Sequence, residues 1–506
     1  EDVDAVAATD NTDVLADVGD KNFIQLQAEI DQSTTGMINL QSNYIRAEGE
    51  SDIVINKNFN IFGNDAYTID AKNLGGIFKI NSGCSVLLNN VILTNGNGIN
   101  GGAIYNEGTV NIMSSTLTDN KATLGGAVYN TGITAISGST LTGNTADKGG
   151  AVYSTGTLVV DGTDFNENVA TYRGGAVYNE GNFEATDSTF DGNDITFRSA
   201  NDDNGGAAIY NNGGTTNLDN VKVINNIKDI VYRAGNAGDF INAAIVSTSR
   251  LYIINSYIAN NSGSWGGGVY VTGNETFTVT NTVFEGNVAT FGAAIYDEGT
   301  SIIVENCNFT DNRCEGVGSP GTANTQAAAI LVMGSTSSAI ISNSRFNRNI
   351  AKVGGAVSIS RAGDVLIDDC EFVENTGYSE GGAIYNYAAD GATVTVKDST
   401  FVDNDAPFGS AISNDADLEL SGNTITGASP APIANYYGTI ESELFVNILQ
   451  GQTVVTILPT NEITAYITDD NGNAIIDRNL VLLVDGNEVA GVYNKTTGTH
   501  TATYTF

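Results

Sequence analysis

Six residues have side chains suited to gripping a ligand: Phe197, Arg198, Tyr232, Arg233, Phe240 and Arg313. They fall in three stretches, DITFRSANDDNG (194–205), IKDIVYRAGNAGDFI (227–241) and RCEGVGSPGTANTQ (313–326). Aromatic and basic groups gathered in an otherwise acidic chain mark a candidate contact region. Loop variation without any binding role is the alternative. A second candidate is a recurrent tyrosine. Tyr105, Tyr129, Tyr153 and Tyr178 each follow Gly-Gly-Ala-Ile or Gly-Gly-Ala-Val. Strand alternation puts the aliphatic residue inside and turns the ring outward, where a stripe of rings would stack on sugars. Self-stacking or cover by neighbouring loops is the competing reading.

Other chemistry is thinly represented. A polysaccharide lyase needs a basic residue placed to take a proton, with clustered carboxylates holding Ca²⁺, and a hydrolase needs two facing carboxylates. Asp and Glu are plentiful here but scattered, and no catalytic set emerges. Asp469, Asp470 and Asn471 fit a hairpin turn better than a Ca²⁺ loop, so no metal site or cofactor is expected beyond weak divalent-ion binding. The one histidine, His500, rules out most His-based sites. Cys307 and Cys370 take a position otherwise held by Ser and read as buried filler. They stand two coils, about 9.6 Å, apart, beyond disulfide reach. Cys84 precedes a strand, and Cys314 falls in a long stretch where exposure is expected. Sequons begin at Asn260, Asn274, Asn308 and Asn494, each a candidate for glycosylation of a secreted chain.

The composition narrows the classes further. Among 506 residues, 58 are Asp or Glu and 21 Lys or Arg, a net charge of −37. That excess repels phosphate backbones, which argues against nucleic-acid partners. No run approaches the ~18 apolar residues of a membrane span, and no leader of charged then apolar residues is visible. With 59 Gly and abundant Asn, Ser and Thr, the chain favours strands and tight turns.

The elements that position these residues are repeats. GGAIY or GGAVY starts at Gly101, Gly125, Gly149, Gly174 and Gly381, with variants between. Alternating with it is a small-x-Phe/aliphatic-x-x-Asn motif, as in STLTDN (115–120) and STFDGN (188–193). Its final Asn recurs at 95, 120, 144, 168, 193, 226, 261, 287, 312, 349, 375 and 404. Five residues before the central Phe or aliphatic runs an apolar column from Leu87, Ile112 and Ile136 to Leu420. Three residues before it, Asn, Asp and Gly dominate from Asn89 to Gly422. An apolar column, a residue able to take positive φ, then a small residue beside Phe describe two strands joined by a sharp bend. Gly-Gly-Ala-aliphatic-Tyr adds a third strand. The expected fold is all-β: a right-handed parallel β-helix with three short strands per ~24-residue coil, followed by a small Ig-like β-sandwich.

Four segments follow. Residues 1–21 read as an acidic, flexible lead-in. Residues 22–428 form the β-helix, its open end capped by the helical spacing of Phe23, Ile24, Leu26 and Ile30. Residues 429–438, with two Pro, read as a linker, and 439–506 as an Ig-like sandwich, truncated because it is short and ends on a strand.

GGAVYNEGNFEATDSTFDGN (174–193) resembles the repeats of chlamydial-type polymorphic outer-membrane proteins. It resembles still more the adhesin-like surface proteins of methanogenic archaea, which join such a solenoid to Ig-like modules such as ITAYITDDNGNAIIDRNLVLLVDGNEVAG (463–491). The outer-membrane family would add a translocation barrel not read here, which favours the archaeal resemblance. That resemblance implies secretion, surface attachment and adhesion, and supplies no catalytic residues. The expected molecule is an extracellular, non-catalytic, monomeric rod presenting its long stretches to a glycan or protein of another cell. A passive stalk and a polysaccharide-cleaving enzyme are the alternatives.

Overall fold

The computed structural model describes residues 19–442, apart from 65–66, 197–204, 228–242, 274, 315–325, 428–431 and 437–438, and five strands between 453 and 503. A ten-residue helix, Phe23–Gln32, opens this part of the chain. Asn22 and Gln25 cap it reciprocally, each side chain bonding the other's backbone N–H. Phe23, Leu26 and Ile30 are buried beneath it, while Ile24 is exposed. The helix thereby covers apolar surface at the start of the solenoid, which an uncapped end would leave wet.

From Met37 to Ser442 the chain winds as a right-handed parallel β-solenoid with three sheets. The first sheet stacks 16 strands, beginning with Met37–Asn39, Phe59–Phe62 and Ser85–Asn89 and ending with Ile440–Ser442. The second stacks 15, from Tyr44–Ile45 to Thr424–Thr426. The third runs from Ile53–Ile55 through Ile104–Asn106 and Val128–Asn130 to Ile433–Asn435. The register is one-to-one from rung to rung. Leu117 pairs with Leu141, Leu141 with Phe165, and Phe165 with Phe190. The rings of Phe284, Phe309, Phe346, Phe372 and Phe401 stack inside with centroids 4.8–4.9 Å apart, the rung spacing itself.

A buried amide ladder fixes the adjoining corner. Asn120 Nδ2 donates to Asn144 Oδ1 at 3.0 Å, Asn144 to Asn168 at 2.9 Å, and so on to Asn404. Each Nδ2 also donates to a backbone carbonyl, as Asn144 does to Leu117 at 2.9 Å. These bonds satisfy amides that would otherwise be costly to bury. The bend residues Ser114, Gly138, Asp187, Asn220 and Asn281 all have positive φ, as Asn, Asp and Gly in that column require. At the second glycine of a Gly-Gly-Ala rung the neighbours close in: a Cβ on Gly126 would lie 2.1 Å from the Gly150 carbonyl oxygen, whereas other rungs of the column adjust to hold Ala207, Ala293 and Ala328.

Two sequence expectations need correction. In the first coil the columns slip by one residue. Leu88, not Leu87, pairs with Ile112, and Asn90 rather than Asn89 has the positive φ of the bend. Gly96, not Asn95, stands opposite Asn120, so the amide ladder begins at Asn120. The apolar run VLLNNVIL offers two equally apolar registers, and hydrogen bonding selects one. Second, the proposed linker 429–438 contains a solenoid rung, since Ile433–Asn435 pairs in parallel with Ile412–Asn414. Residues 1–18 of the acidic lead-in lie outside the described residues. Among the described C-terminal strands, Thr453–Ile457, Glu462–Ile467 and Thr499–Thr503 pair antiparallel, as do Leu480–Val484 and Asn487–Asn494.

Candidate functional site

Between the second and third sheets the chain turns a corner through short strands. Thr145–Lys148, Val169–Arg173 and Asp194–Ile195 pair in parallel, and Val288–Ala289, Arg313–Cys314, Ile350–Val353 and Thr376–Glu380 repeat the arrangement further along. All three long stretches leave from this corner. Gly205 bridges back to Arg173, and Gln326 bridges Phe291 and Val353, so the chain rejoins the same column after the first and third stretches. Phe197, Arg198, Tyr232, Arg233 and Phe240 lie outside the described residues. Arg313 is exposed on its strand, between Val288 and Ile350. Cys314, expected to be exposed, is buried at 1%. It is the next residue on the same strand, so alternation turns it inward among Ala289, Ala293, Ala328 and Ala351, and its Sγ donates to the Ala327 carbonyl at 3.0 Å. Cys307 and Cys370 are buried, and burial pushes their thiols up to about 11 and about 12.

The tyrosine column faces away from the main core, but the expected exposed stripe is corrected for most of its length. Tyr153 is 7% exposed, Tyr178 1% and Tyr210 0%, while Tyr105 and Tyr129 are half-buried. Tyr129, Tyr153, Tyr178 and Tyr210 stack face to face at 4.9–5.4 Å, and Tyr105 meets Tyr129 edge-on at 5.3 Å. Two flanking columns cover them. The residue preceding each Gly-Gly-Ala leans over the tyrosine of the following rung: Lys148 Nζ lies 5.1 Å from the Tyr178 ring and the Arg173 guanidinium 5.0 Å from Tyr210. Trp265 takes the same position against Tyr296 at 5.6 Å. Two residues beyond the tyrosine is a column of acceptors. Tyr105 donates to Glu107 at 2.8 Å, Tyr178 to Glu180 at 3.1 Å and Tyr270 to Glu298 at 2.6 Å. Burial and Glu180 push the Tyr178 hydroxyl up to about 12.

Near the C-terminal end of this face the columns change character. The tyrosine column reads Ser358, Tyr385, Ser413, Ala434; the covering column reads Val353, Glu380, Phe408; the acceptor column reads Ser360, Tyr387, Asp415, Tyr436. Tyr385 donates to Asp415 Oδ2 at 3.0 Å, and Ser413 Oγ to Glu380 Oε2 at 3.3 Å. Asp415 Oδ1 is buried without a hydrogen-bond partner. Burial, then the nearby Asp415 charge, raises the Glu380 carboxyl above its ordinary value, and burial raises Asp415. No motif singles out Glu380 or Asp415. The signal available in the sequence is the break in the tyrosine column at Ser413.

Among the sequons, Asn260 is exposed at a positive-φ turn, and Asn308 is exposed beside inward Phe309. Asn308 lines a shallow polar groove of about 510 Å³ with Asn306, Asn343, Arg345 and Glu371. Asn274 lies outside the described residues, as do Asp469, Asp470 and Asn471, and Asn494 ends a described strand. Among the described residues no group of three or more His, Cys, Asp or Glu is placed to hold a metal ion, and no helix is long and apolar enough to cross a membrane.

The right-handed β-helix region family matches residues 321–445, and the Chlamydia polymorphic membrane protein repeat matches residues 162–180. No curated protein matches the chain. Among solved structures it is similar to tailspike protein 3 of bacteriophage CBA120, at 8% identity and a TM-score of 0.30 over 94% of this chain and 65% of that one. The chain thus spans about 65% of the length of that relative. It is also similar to two mutants of the tailspike protein of E. coli bacteriophage HK620 in complex with a pentasaccharide. Each is 12% identical over 94% of this chain and 86% or 85% of theirs, with TM-scores of 0.25 and 0.24. With its rungs stacked in register and these two family matches, the chain is a β-helix repeat protein.

Proposed function

We propose that this chain is an extracellular, non-catalytic adhesin of the kind carried on the surface of methanogenic archaea. In this reading the solenoid is a rod, and its long stretches at residues 194–205, 227–241 and 313–326 grip a glycan or protein on another cell. The observation that carries the reading is the common corner: the three stretches depart after the same ladder asparagine, at Asn193, Asn226 and Asn312, and two of them rejoin the same column of bridges, while the ladder beneath continues unbroken. Insertions collected on one side of a repeat stack are the usual place for a binding surface. Phe197, Arg198, Tyr232, Arg233, Phe240 and Arg313 are the proposed contacts. The match to the polymorphic membrane protein repeat supports a place at the cell surface. Residues beyond Ser442 serve as an Ig-like spacer, since Ile440–Ser442 still pairs within the solenoid, and the sequons at Asn260, Asn274, Asn308 and Asn494 serve as modification sites.

The test replaces all three stretches with four-residue turns, the length that KATL (121–124) and TADK (145–148) use at the same corner. The intact chain and the exchanged variant are compared on a glycan array and in pull-downs with whole cells. Loss of binding with an unchanged far-UV spectrum supports the adhesin. Equal binding by both would remove the corner as the contact surface, and no binding by either leaves the stalk reading.

A further inference from the structure

The outer face of the third sheet follows a pattern that is completed along the chain's first half and left open near its C-terminal end. Along the first half, a ring, a carboxylate and a cation occur together. Lys79 Nζ lies 5.1 Å from the Tyr105 ring and 3.6 Å from Glu107, the acceptor of the Tyr105 hydroxyl. Lys148 lies over Tyr178, whose hydroxyl donates to Glu180, and Arg173 lies over Tyr210. Each cation faces the electron-rich side of a ring, and Lys79 also pairs with the acceptor carboxylate.

At Tyr385 the ring and the carboxylates are present, but the covering position is Val353, and the next two are Glu380 and Phe408. Among the described residues no Lys or Arg lies over Tyr385, Tyr387, Phe408 or Tyr436. Lys352 acts on Glu380 alone of the two carboxyls. Two ring pairs adjoin the carboxyls: Tyr385, which donates to Asp415, lies 6.5 Å from Tyr387, and Phe408, bridged to Glu380, is edge-on to Tyr436 at 6.0 Å. Tyr387 and Phe408 are each 42% exposed, so part of each ring is open to solution. Asp415 keeps one buried oxygen without a donor.

We propose that this cluster binds an organic ammonium group from outside the chain. Its methyl or methylene groups would pack on Tyr387 and Phe408, with Asp415 and Glu380 as counter-charges. The position is the one that Lys148 and Arg173 occupy elsewhere on the same face. A metal cation is the poorer fit, because two carboxylates fall well short of the oxygen shell that Ca²⁺ takes. The site stands apart from the corner loops and does not depend on them.

The test is titration of the full chain, followed by calorimetry and by NMR of the ligand, with choline and with glucosamine, which separate a quaternary headgroup from an amino sugar. Glucose at equal concentration and matched NaCl are the controls. The expected result is saturable binding of at least one ammonium compound, no binding of glucose, and a loss of about tenfold or more in Asp415→Asn and in Tyr387→Ala/Phe408→Ala. Thermal unfolding checks that both variants fold, and Arg250→Gln, a surface change elsewhere on the rod, should leave binding intact. Retention in the loop-exchanged chain separates this site from the corner. Three results would overturn the idea: no ammonium binding above the salt control, glucose binding equally well, or undiminished affinity in the folded variants.

Discussion

Asp297 offers a quantitative test of how the inner ladders work. It belongs to the inward column three residues after the Gly-Gly-Ala alanine, which holds Asn106, Asn130, Asn179 and Asn211 at other rungs. Those amides donate along the stack, as Asn106 Nδ2 does to Asn130 at 2.9 Å and to the Ile133 carbonyl at 2.9 Å. Asp297 instead sits between Val271 and Val332, fully buried. Its Oδ1 accepts from the Thr300 N–H and hydroxyl, and its Oδ2 has no partner. Burial pushes its carboxyl up to about 7 from an ordinary 3.8. The folded state therefore holds the proton more tightly than the unfolded one. The stabilising contribution is complete below about pH 4 and is lost as the pH rises through 7. At about 1.36 kcal/mol per decade the ceiling is about 4 kcal/mol by pH 8. Asp297→Asn keeps the acceptor for Thr300 and replaces the ionisable oxygen with a donor. At pH 8 the variant should be more stable by about 2–4 kcal/mol, and at pH 4 by less than about 1 kcal/mol. Repeat stacks open locally, so the assay is amide exchange read by mass spectrometry across residues 293–300 and 330–333, at several pH values corrected for intrinsic rates. The same pH dependence in both chains would refute the reasoning, because the carboxyl would then titrate normally or be solvated.

Other ladder positions give independent checks. Asn261→Ala removes donations to Asn287 and to the Val223 carbonyl and takes the Oδ1 acceptor from the Asn226 backbone N–H and Nδ2, so local opening across 253–261 should become easier by about 2–4 kcal/mol in exchange measurements. Phe309→Ala empties the ring between Phe284 and Phe346 and should cost about 3–5 kcal/mol, read as lower protection at residues 282–285 and 345–347. Gly126→Ala drives a methyl into the Gly150 carbonyl and should open the rungs on both sides, whereas Gly391→Ala, with nothing within 4 Å, should lose only the cost of its positive φ. All four cysteines are buried, with Cys307 and Cys370 pushed up to about 11 and about 12, so a thiol reagent at pH 8 should label the native chain slowly and four groups promptly in denaturant.

The inner architecture was legible in the sequence because stacking in register imposes one residue type on a whole column. Only Asn both spans a rung and bonds a carbonyl, so the amide ladder was visible as a recurrence from Asn120 onward. The bend column was equally legible, since its backbone reaches positive φ at every rung from Ser114 to Gly422. The first coil was misregistered for a physical reason. In VLLNNVIL neighbouring positions are equally apolar, and patterning cannot distinguish Leu87 from Leu88 where pairing can.

The outer face was harder to read, because burial there depends on what the adjacent rungs supply and not on the residue alone. Tyr105 and Tyr178 share a motif and each has a lysine over its ring, yet one is half-buried and the other covered, because Tyr178 is stacked between Tyr153 and Tyr210 whereas Tyr105 meets Tyr129 edge-on. The useful unit outside is therefore a triplet read diagonally: the residue before Gly-Gly-Ala, the tyrosine one rung on, and the acceptor two residues past it. Read that way, Lys148 with Tyr178 and Glu180 closes on itself, whereas Val353 with Tyr385 and Tyr387 does not, and Phe408 reaches past Ser413 to meet Tyr436. A ladder whose inner columns are fixed by hydrogen bonding can vary its outer triplets one rung at a time without disturbing the core. That freedom allows one solenoid to carry a sealed aromatic stack from Tyr129 to Tyr210 and, at Tyr385, rings and carboxylates that no cation covers among the described residues.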